Sequence, residues 1–540
     1  MALFQSGQTD FANCTARAIP IPTLPGAKIN AIIAAPGYNS YEYVPAGAFP
    51  NHGSVTVADL RFCNVTINYT SNGLQKPTTV QIWLPQHWNT KMQSAGGSGW
   101  TAGLTDAAFT AMTGMTGLGY AASTTNGGVT SAHPADWAYS SPGKVDMKVL
   151  EHYASTSLND LSILTKSIIT SYYGKSPTYA YWNGCSQGGR QGYMLAQKYP
   201  TAYNGIAASA APITWTPLMI AGFWAQALMN EMKAYPDACQ LAALTDAATK
   251  ACDAKDGVVD GLVTDPDACN FDPYTLVGNV TSCIGYGNVT VTREAATVAN
   301  TGWYGISTAR NEFLHHGSNQ EAAFTTRGNP GVLGPALSLL NYTWGLADVV
   351  CEGKSCHGKP HHIVEAWLKV FVLKDTTFNT SRVDLRMLDD VFDISVREFT
   401  EVIGTADPNL TAFRNAGGKL VGYHGLGDPI IPSKNSRRYV DAVLKVDPKA
   451  AQFHRHFEAA GVGHCYSGSG LFPEGIFDSL TRWVEHGEAP EQLNVTVPGL
   501  VTAGERILCP YPQKARYWGF GGFWTKSSYY CSEKKPFWLK

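Results

Sequence analysis

The sequence predicts an α/β fold, and three segments indicate it. Residues 178–199 read as a short aromatic strand, a glycine-rich turn and a helix with apolar residues at helical spacing. A buried strand begins at residue 419 and ends in a glycine-rich loop, and a strand at 452–457 alternates polar with apolar or aromatic residues. A strand that passes through a tight turn into a helix is a building unit of α/β proteins.

The turn of the first segment is Gly184-Cys185-Ser186-Gln187-Gly188, a Gly-x-Ser-x-Gly pentapeptide. In a nucleophile elbow, such a pentapeptide holds a serine on a strained strand-to-helix turn, and small flanking residues let backbone and substrate approach closely. The pentapeptide alone occurs more often in ordinary glycine-rich turns. Because a strand precedes it and a helix follows it, Ser186 is a candidate nucleophile.

An acid and a base follow in the order that the fold requires. Asp428 lies in the glycine-rich loop after the second strand, and His464 lies in the loop 461–465 after the third. The order Ser, Asp, His is that of the α/β-hydrolase fold and differs from the order in the two common serine protease folds. His464 would accept the proton of Ser186, and Asp428 would fix the imidazole tautomer and stabilise the imidazolium.

Each of these residues also has a structural interpretation. Asp428 is suited to a turn ahead of Pro429, and His464 to a hydrogen-bonded position in a loop. Structural roles are favoured for the other histidines that compete as the base, which are His424, His454 and His456. Catalysis is favoured for the triad because its three members follow strands in the expected order.

A cysteine stands beside the serine and another beside the histidine. If the hydroxyl of Ser186 and the imidazole of His464 are within hydrogen-bond reach, the Cα atoms of Cys185 and Cys465 could fall within the roughly 4.4–6.8 Å that a disulfide requires. The alternatives are that each cysteine pairs elsewhere or is a small buried apolar residue.

These motifs resemble the tannase and feruloyl esterase family of secreted α/β-hydrolases. The resemblance covers nearly the whole chain and includes Phe62–Thr66, Ser94–Gly99, Gly184–Gly192, the acidic loop from Cys252, Tyr423–Gly425 and Gly463–Cys465. It implies the triad of Ser186, Asp428 and His464. It also implies an oxyanion hole formed by the backbone N–H of Gln187 and of one glycine in the distant loop, either Gly96 or Gly97, which agrees with the usual origin of the two donors.

The resemblance further implies four disulfides, Cys14–Cys63, Cys185–Cys465, Cys252–Cys269 and Cys509–Cys531. We pair the remaining cysteines as Cys239–Cys283 and Cys351–Cys356. Each bond is expected to stabilise the chain by about 2–4 kcal/mol, mainly by restricting the unfolded state.

The acidic loop 253–262 carries three carboxylates and two glycines. By itself it fits a solvated turn as well as a calcium loop, and it lacks the spacing and the closing glutamate of an EF-hand. The resemblance favours a structural Ca²⁺ and no organic cofactor. The ligands it implies are the side chains of Asp253, Asp256 and Asp260 and the carbonyls of Val258 and Leu262.

Composition indicates the compartment and the partners. Charged residues are 15% of the chain and the formal charge is −2, so neither nucleic acid nor an acidic membrane is an expected partner. The 12 cysteines and the Asn-x-Ser/Thr sequons indicate an oxidising, glycosylating route to the extracellular space. No apolar stretch reaches the roughly 18 residues of a membrane helix. The polar sequence after residue 5 favours a mature form whose signal has been removed or replaced. The sequons are at Asn13, Asn64, Asn68, Asn279, Asn288, Asn341, Asn379, Asn409 and Asn494.

The triad must belong to one folded unit, so the sequence between its parts contains an insert. We expect a catalytic domain formed by residues 1–211 and 409–540, with a last helix near 477–486, and a loop-rich lid domain at 212–408. Aromatic residues of the lid suit the pocket of a planar acid, although such residues are more often core. They are Trp303, Tyr304, Tyr342, Trp344, Trp367 and Phe371.

The expected activity is two-step acyl transfer by a secreted serine carboxylic ester hydrolase. The leading substrates are hydroxycinnamate esters, such as feruloyl esters of xylan and other plant cell-wall polysaccharides, and the alternative substrates are the galloyl esters of tannases. A binding protein of hydrolase fold without activity is disfavoured, because all three triad members are present. A metalloenzyme is also disfavoured, since His357, His361 and His362 lie far from the elbow in sequence and form no HExxH motif.

Overall fold

The computed structural model describes residues 11–283, 286–307, 313–326, 345–353, 355–468, 470–497 and 504–534. Within these ranges the strands are β1 (Ala27–Val44), β2 (Val55–Ser71), β3 (Thr78–Pro85), β4 (Lys91–Ala95), β5 (Ala121–Thr125), β6 (Tyr139–Ser141), β7 (Lys144–Val145), β8 (Tyr179–Cys185), β9 (Gly205–Ser209), β10 (Val280–Cys283), β11 (Gly287–Thr290), β12 (Ile306–Ser307), β13 (Phe313–His315), β14 (Val349–Glu352), β15 (Ser355–Gly358), β16 (Lys419–Gly425), β17 (His454–Ala459), β18 (Leu493–Val497), β19 (Gly504–Leu508), β20 (Lys514–Tyr517) and β21 (Tyr529–Ser532).

The α-helices are α1 (Asp106–Gly117), α2 (Met147–Glu151), α3 (Ser157–Tyr173), α4 (Gln187–Lys198), α5 (Trp215–Ala221), α6 (Trp224–Met232), α7 (Ala238–Asp253), α8 (Arg293–Tyr304), α9 (His362–Ala366), α10 (Leu385–Ile403), α11 (Thr411–Asn415), α12 (Ser433–Val446) and α13 (Ile476–His486). Two π-helical turns, His152–Thr156 and Trp367–Val372, follow α2 and α9.

A nine-stranded sheet lies at the centre, in the order β1-β2-β3-β5-β4-β8-β9-β16-β17. The pairs β1–β2, β2–β3 and β3–β5 are antiparallel, whereas every pair from β5–β4 to β16–β17 is parallel. This mixed sheet with helices on both faces confirms the predicted α/β-hydrolase fold.

Both faces of the parallel strands are buried, which explains why these strands are apolar at successive positions. Ala180 and Trp182 of β8 pack in the cluster that includes α3 and α4, whereas Tyr181 packs in the cluster that includes α1 and α13. The strand at 178–182, the helix at 190–199, the strands near 419 and 452 and the last helix, all predicted from sequence, are found as β8, α4, β16, β17 and α13.

The segment 212–408 contributes no strand to the central sheet in the part of the chain that the structure describes. It is richer in helix than expected. In α10, the buried residues Leu388, Val391, Ser395, Phe399 and Ile403 recur at three- and four-residue intervals, and Asp384 caps the helix by accepting from the N–H of Met387.

The aromatic residues singled out in this segment behave mostly as core. The side chains of Trp303, Trp367 and Phe371 are fully buried, and that of Tyr304 is half-exposed. Tyr342 and Trp344 lie outside the described residues.

Six disulfides join the pairs given in the sequence analysis, and no cysteine of the described chain is free. Over the described ranges, no helix combines the length and apolarity needed to span a membrane.

Candidate active site

Ser186 occupies the sharp turn between β8 and α4, with φ 60° and ψ −126°. This conformation is strained for a residue with a side chain, and it directs the serine out of the sheet. A Cβ on Gly184 would lie 2.4 Å from the carbonyl carbon of Gly188, and a Cβ on Gly188 would lie 3.1 Å from the carbonyl oxygen of Gly97. Close backbone approach therefore excludes a side chain at Gly184 and leaves little room for one at Gly188.

The neighbouring parallel strands β16 and β17 end at the same edge of the sheet and bring Asp428 and His464 together. His464 Nδ1 lies 2.8 Å from Asp428 Oδ2, and both side chains are buried. The other carboxylate oxygen accepts hydrogen bonds from the N–H groups of Ile430 and Ile431 at 3.0 and 2.9 Å. The acid is thus fixed in one orientation against the imidazole.

Asp428 remains ionised despite its burial. Burial alone would raise the pKa of this carboxyl group, but the charge interaction with His464 and the hydrogen bonds from His424 and His464 outweigh it and hold the pKa well below its usual range. His424 Nε2 lies 3.2 Å from Asp428 Oδ2, and Nδ1 of the same ring lies 2.7 Å from the hydroxyl of Ser436. His424 therefore supports the acid. His454 and His456 are buried within β17.

Replacement of Asp428 by asparagine should lower the free energy of unfolding at pH 7 by about 1–3 kcal/mol, because hydrogen bonds to a carboxylate are lost. The folded pKa is depressed, so the stabilisation by this carboxylate is present above its unfolded pKa of about 4 and is lost as the pH falls toward the folded value. Urea unfolding between pH 7 and pH 3 should therefore show a weaker acid dependence in Asp428→Asn than in wild type.

Asp160 provides the matched control, since burial raises its pKa to about 6 although a hydrogen bond from Tyr69 opposes the rise. The contribution of Asp160 to the free energy of unfolding is largest below its unfolded pKa and is lost as the pH rises through its folded pKa. Asp160→Asn should therefore change the pH slope in the opposite direction to Asp428→Asn. If the free energy of unfolding changed with pH by the same slope in the two variants, the assignment of Asp428 as an ionised buried acid would be contradicted.

A disulfide connects the serine and the histidine segments. The Cα atoms of Cys185 and Cys465 are 5.9 Å apart, within the range expected from the sequence. Ser186 and His464 line one cavity of about 390 Å³, together with Gly96 and Gly97. The structure thus brings the serine, the imidazole and the glycine-rich loop to a common space.

A second, narrower recess of about 30 Å³ reaches Ser186 from the side of the segment 212–408. We call it the apolar slot; its side chains include Trp215, Leu218, Met219, His361, Ile363, Val364, Ile430 and Ile431. His361, which is far from the elbow in sequence, therefore lies at the site. Burial, with the charges of His362 and His464, lowers the pKa of His361 to about 3, so its ring is neutral.

The backbone N–H groups expected to form an oxyanion hole differ in whether they already donate to an acceptor. No acceptor among the described residues binds the N–H of Gln187. The N–H of Gly96 donates to the carbonyl of Asn183 at 3.0 Å, and that of Gly97 donates to Gln191 Oε1 at 2.9 Å. The role of Gly96 or Gly97 stays a prediction, and either amide would have to exchange its present acceptor for the substrate oxygen.

Sequence reasoning missed several side chains whose hydrogen bonds hold the segments of the site in place. The Tyr423 hydroxyl donates to the carbonyl of Cys465. Asn51 donates to Asn183 Oδ1 at 2.7 Å, beneath the elbow. Glu321 accepts from the N–H of Gly461, in the loop that carries the histidine, at 3.0 Å. Tyr423 belongs to the motif Tyr423–Gly425, whereas no local sequence pattern marks Asn51 or Glu321.

The acidic loop follows α7. Asp253 accepts from the N–H groups of Asp260 and Gly261, and Asp256 and Asp260 each accept from the N–H two residues later. Burial raises the pKa of Asp256 to about 6, although the N–H of Val258 and the nearby hydroxyl of Thr264 oppose the rise. Oδ2 of Asp256 is buried without a hydrogen-bond partner of normal geometry among the described residues.

An orphaned carboxylate oxygen of this kind fits a hard cation. Asp260 Oδ2, however, lies 2.6 Å from Arg506, and as they stand no three acidic, histidine or cysteine side chains in the described chain converge on a metal-binding position. The donor chemistry thus fits calcium, but Asp260 would have to share its carboxylate with Arg506.

The sheet, the elbow serine and the buried Asp–His pair define an α/β-hydrolase. The chain belongs to the tannase and feruloyl esterase family, whose sequence model matches residues 63–532, and it is thereby a carboxylic ester hydrolase.

Two curated relatives and a solved structure show the breadth of the similarity. The chain is 33% identical to a probable feruloyl esterase of Arthroderma benhamiae over 95% of this chain and 92% of the relative. It is 28% identical to a mono(2-hydroxyethyl) terephthalate hydrolase of Piscinibacter sakaiensis over 90% and 86% of the two chains. The structure of a tannin acyl hydrolase from Aspergillus niger superimposes with a TM-score of 0.83 at 24% identity, covering 96% and 94% of the two chains.

Proposed function

We propose that this protein hydrolyses esters of hydroxycinnamic acids, such as feruloyl esters of plant cell-wall polysaccharides, by a Ser-His-Asp acyl-enzyme mechanism. The observation that carries the proposal is the buried Asp428–His464 pair, held at 2.8 Å beside the same cavity as Ser186. A hydrolase-fold protein that serves only in binding would have no need of an ionised buried acid aligned on this imidazole.

In the first step, Ser186 Oγ attacks the ester carbonyl carbon while His464 takes its proton. The N–H of Gln187 donates to the oxyanion of the tetrahedral intermediate. Collapse of the intermediate breaks the bond to the alcohol, and His464 protonates the leaving oxygen. Water then attacks the acyl-enzyme with His464 as base, which releases the acid and restores the serine. Asp428 stays ionised and stabilises the imidazolium in both steps.

The larger cavity beside Ser186, of about 390 Å³ and with a mainly apolar lining, has room for an aromatic acyl group. The curated relatives named above are a probable feruloyl esterase and a mono(2-hydroxyethyl) terephthalate hydrolase. The apolar slot, at about 30 Å³, is too small for an aromatic ring and adds one polar side chain, His361, to Ser186 and Gln187. A galloyl ring carries three hydroxyls that would need partners, whereas a feruloyl ring carries one. Unpaired polar groups in a buried pocket weaken binding.

A comparison of methyl ferulate with methyl gallate tests the proposed substrate class. We expect kcat/KM for methyl ferulate to exceed that for methyl gallate by about tenfold or more, since each unpaired hydroxyl costs about 1–3 kcal/mol. Methyl cinnamate, which lacks ring hydroxyls, serves as the control for the linker between ring and ester. A preference for methyl gallate would instead assign the chain to the tannase activity.

We also propose that the protein is secreted and glycosylated and that residues 212–408 act as a lid. Six disulfides suit an oxidising compartment. The sequon asparagines within the described ranges are all at least partly exposed, and Asn341 lies outside those ranges.

We propose that the acidic loop binds Ca²⁺ through Asp253, Asp256 and Asp260 and the carbonyls of Val258 and Leu262. A bound cation would neutralise the loop carboxylates and stabilise the fold. Removal of calcium by EGTA should lower the unfolding temperature by several degrees and the initial rate by less than about twofold, because a ligand at 100 times its Kd stabilises the native state by about 2.7 kcal/mol. Asp256→Asn should remove the response to EGTA, and an unchanged melting curve in wild type would contradict the proposal.

A further inference from the structure

Arg190 is fully buried in the first turn of α4, four residues after the elbow serine. No Asp or Glu side chain pairs with its guanidinium among the described residues. Its hydrogen bonds go instead to neutral oxygens: Gln187 Oε1 at 2.8 Å, the carbonyl of Ala154 at 3.0 Å and the carbonyl of Ile403 at 3.2 Å. A buried charge without a counter-ion is costly, so its presence beside the elbow calls for an explanation.

The hydrogen bonds continue from Arg190 to the glycine-rich loop. Gln187 accepts from Arg190 and donates through Nε2 to the hydroxyl of Tyr153 at 2.7 Å. Tyr153 in turn donates to the carbonyl of Gly99 at 3.1 Å. Each member donates to the next, so the chain of hydrogen bonds fixes the orientation of every group in it.

Gln191 makes a second connection between α4 and the same loop. It accepts from the N–H of Gly97 and donates to the carbonyl of Ala102, each at 2.9 Å. The N–H of Gly188 donates to the carbonyl of Gly97, also at 2.9 Å. The first turn of α4 and the loop 96–102 are therefore held as one unit, with the free N–H of Gln187 at its edge.

We propose that Arg190 is a positioning residue for the oxyanion hole, which orients Gln187 and the loop 96–99 through Tyr153 and holds a positive charge without a carboxylate partner against the side chain of Gln187. This inference rests on the proposed acyl-transfer function of Ser186. Negative charge develops on the substrate oxygen only during the reaction, so a fixed cation in a buried site stabilises the transition state more than the neutral ester. The buried guanidinium would thus stabilise the transition state, in which negative charge develops on the substrate oxygen.

The test uses a fluorophosphonate, which reacts with the serine without regard to the natural ester. Ser186 Oγ forms a bond to phosphorus, fluoride leaves, His464 takes the hydroxyl proton, and the phosphoryl oxygen becomes more negative in the transition state. The second-order rate of labelling at Ser186 would be measured by mass spectrometry for wild type and for Arg190→Met, Arg190→Lys and Tyr153→Phe.

Arg190→Met should be labelled about 10- to 100-fold more slowly than wild type, below the effect of removing a direct oxyanion donor. With methyl ferulate, kcat should fall by a similar factor and KM should change by less than about twofold, as for an interaction made in the transition state. Arg190→Lys, which keeps the charge, should recover part of the rate. Tyr153→Phe, which keeps the ring but not the hydrogen bond to Gly99, should be several-fold slower than wild type.

Arg516→Met is the matched control, because Arg516 is also buried but pairs with Asp265 at 3.3 Å and lies outside the linings of both recesses. It should lose thermal stability and keep the wild-type rate of labelling. Labelling of folded Arg190→Met or Tyr153→Phe at the wild-type rate would overturn the role of Arg190 and leave the proposed function intact. Absence of labelling in wild type would instead overturn the proposed function. If Arg190→Met does not fold, the rates of Arg190→Lys and Tyr153→Phe decide the matter.

Discussion

Ser186→Ala is expected to lower kcat for methyl ferulate by about 10⁴- to 10⁶-fold, as loss of the nucleophile does in other serine hydrolases. The variant should fold, because the change removes one hydroxyl and adds no atoms to the elbow. Residual activity would come from binding and from the oxyanion donors. The measurement is release of ferulic acid followed by chromatography, together with a thermal melt of the same sample.

Ser162→Ala is a suitable control, since Ser162 is a buried serine of α3 whose hydroxyl donates to the carbonyl of Ala202. It should keep the wild-type rate. Turnover by folded Ser186→Ala within about tenfold of wild type would place the nucleophile elsewhere.

The second large effect is expected when Cys185 and Cys465 are both replaced by alanine. This disulfide closes a sequence separation of 280 residues, and three other disulfides within that span shorten the effective loop. We expect the free energy of unfolding to fall by about 3–5 kcal/mol. We also expect kcat/KM to fall by about tenfold or more, because a base displaced by about 1 Å from its reactive position loses much of its effect.

Removal of the Cys351–Cys356 disulfide, which spans five residues in the segment 212–408, is the matched control. It should cost about 2 kcal/mol at most by the same loop-closure reasoning and leave kcat/KM unchanged. Urea unfolding and steady-state kinetics on both double variants separate the two effects. Wild-type kinetics in the Cys185/Cys465 variant would show that the disulfide does not position the base.

The positions of the proposed triad could be predicted from the sequence, because each member depends on a local pattern. Ser186, Asp428 and His464 each follow a strand of the parallel sheet, and parallel strands bring their carboxyl ends to one edge. The short buried strands and the amphipathic α13 also carry their own signals in hydrophobic spacing. For this reason the elements that hold the site were predicted within a few residues.

The supporting contacts depend on tertiary packing that no local pattern encodes. His361 reaches the site from the segment 212–408, far from Ser186 in sequence. Arg190 stands one helical turn after the elbow, yet its partners Ala154 and Ile403 come from distant segments. The commitment of the Gly97 amide to Gln191 likewise follows only from the packing of the loop against α4. The helical content of the inserted segment was underestimated because α10 is stabilised mainly by burial of its apolar face.

The most direct test of the account is to trap the acyl-enzyme. Wild-type protein would be mixed with an activated ferulate ester, quenched in acid within the first turnover and digested for peptide mass mapping. The account predicts a feruloyl group on Ser186, and a longer-lived adduct in Asp428→Asn, where the base that activates water is impaired. A feruloyl group on a different residue, or rapid turnover with no covalent adduct at any quench time, would contradict it.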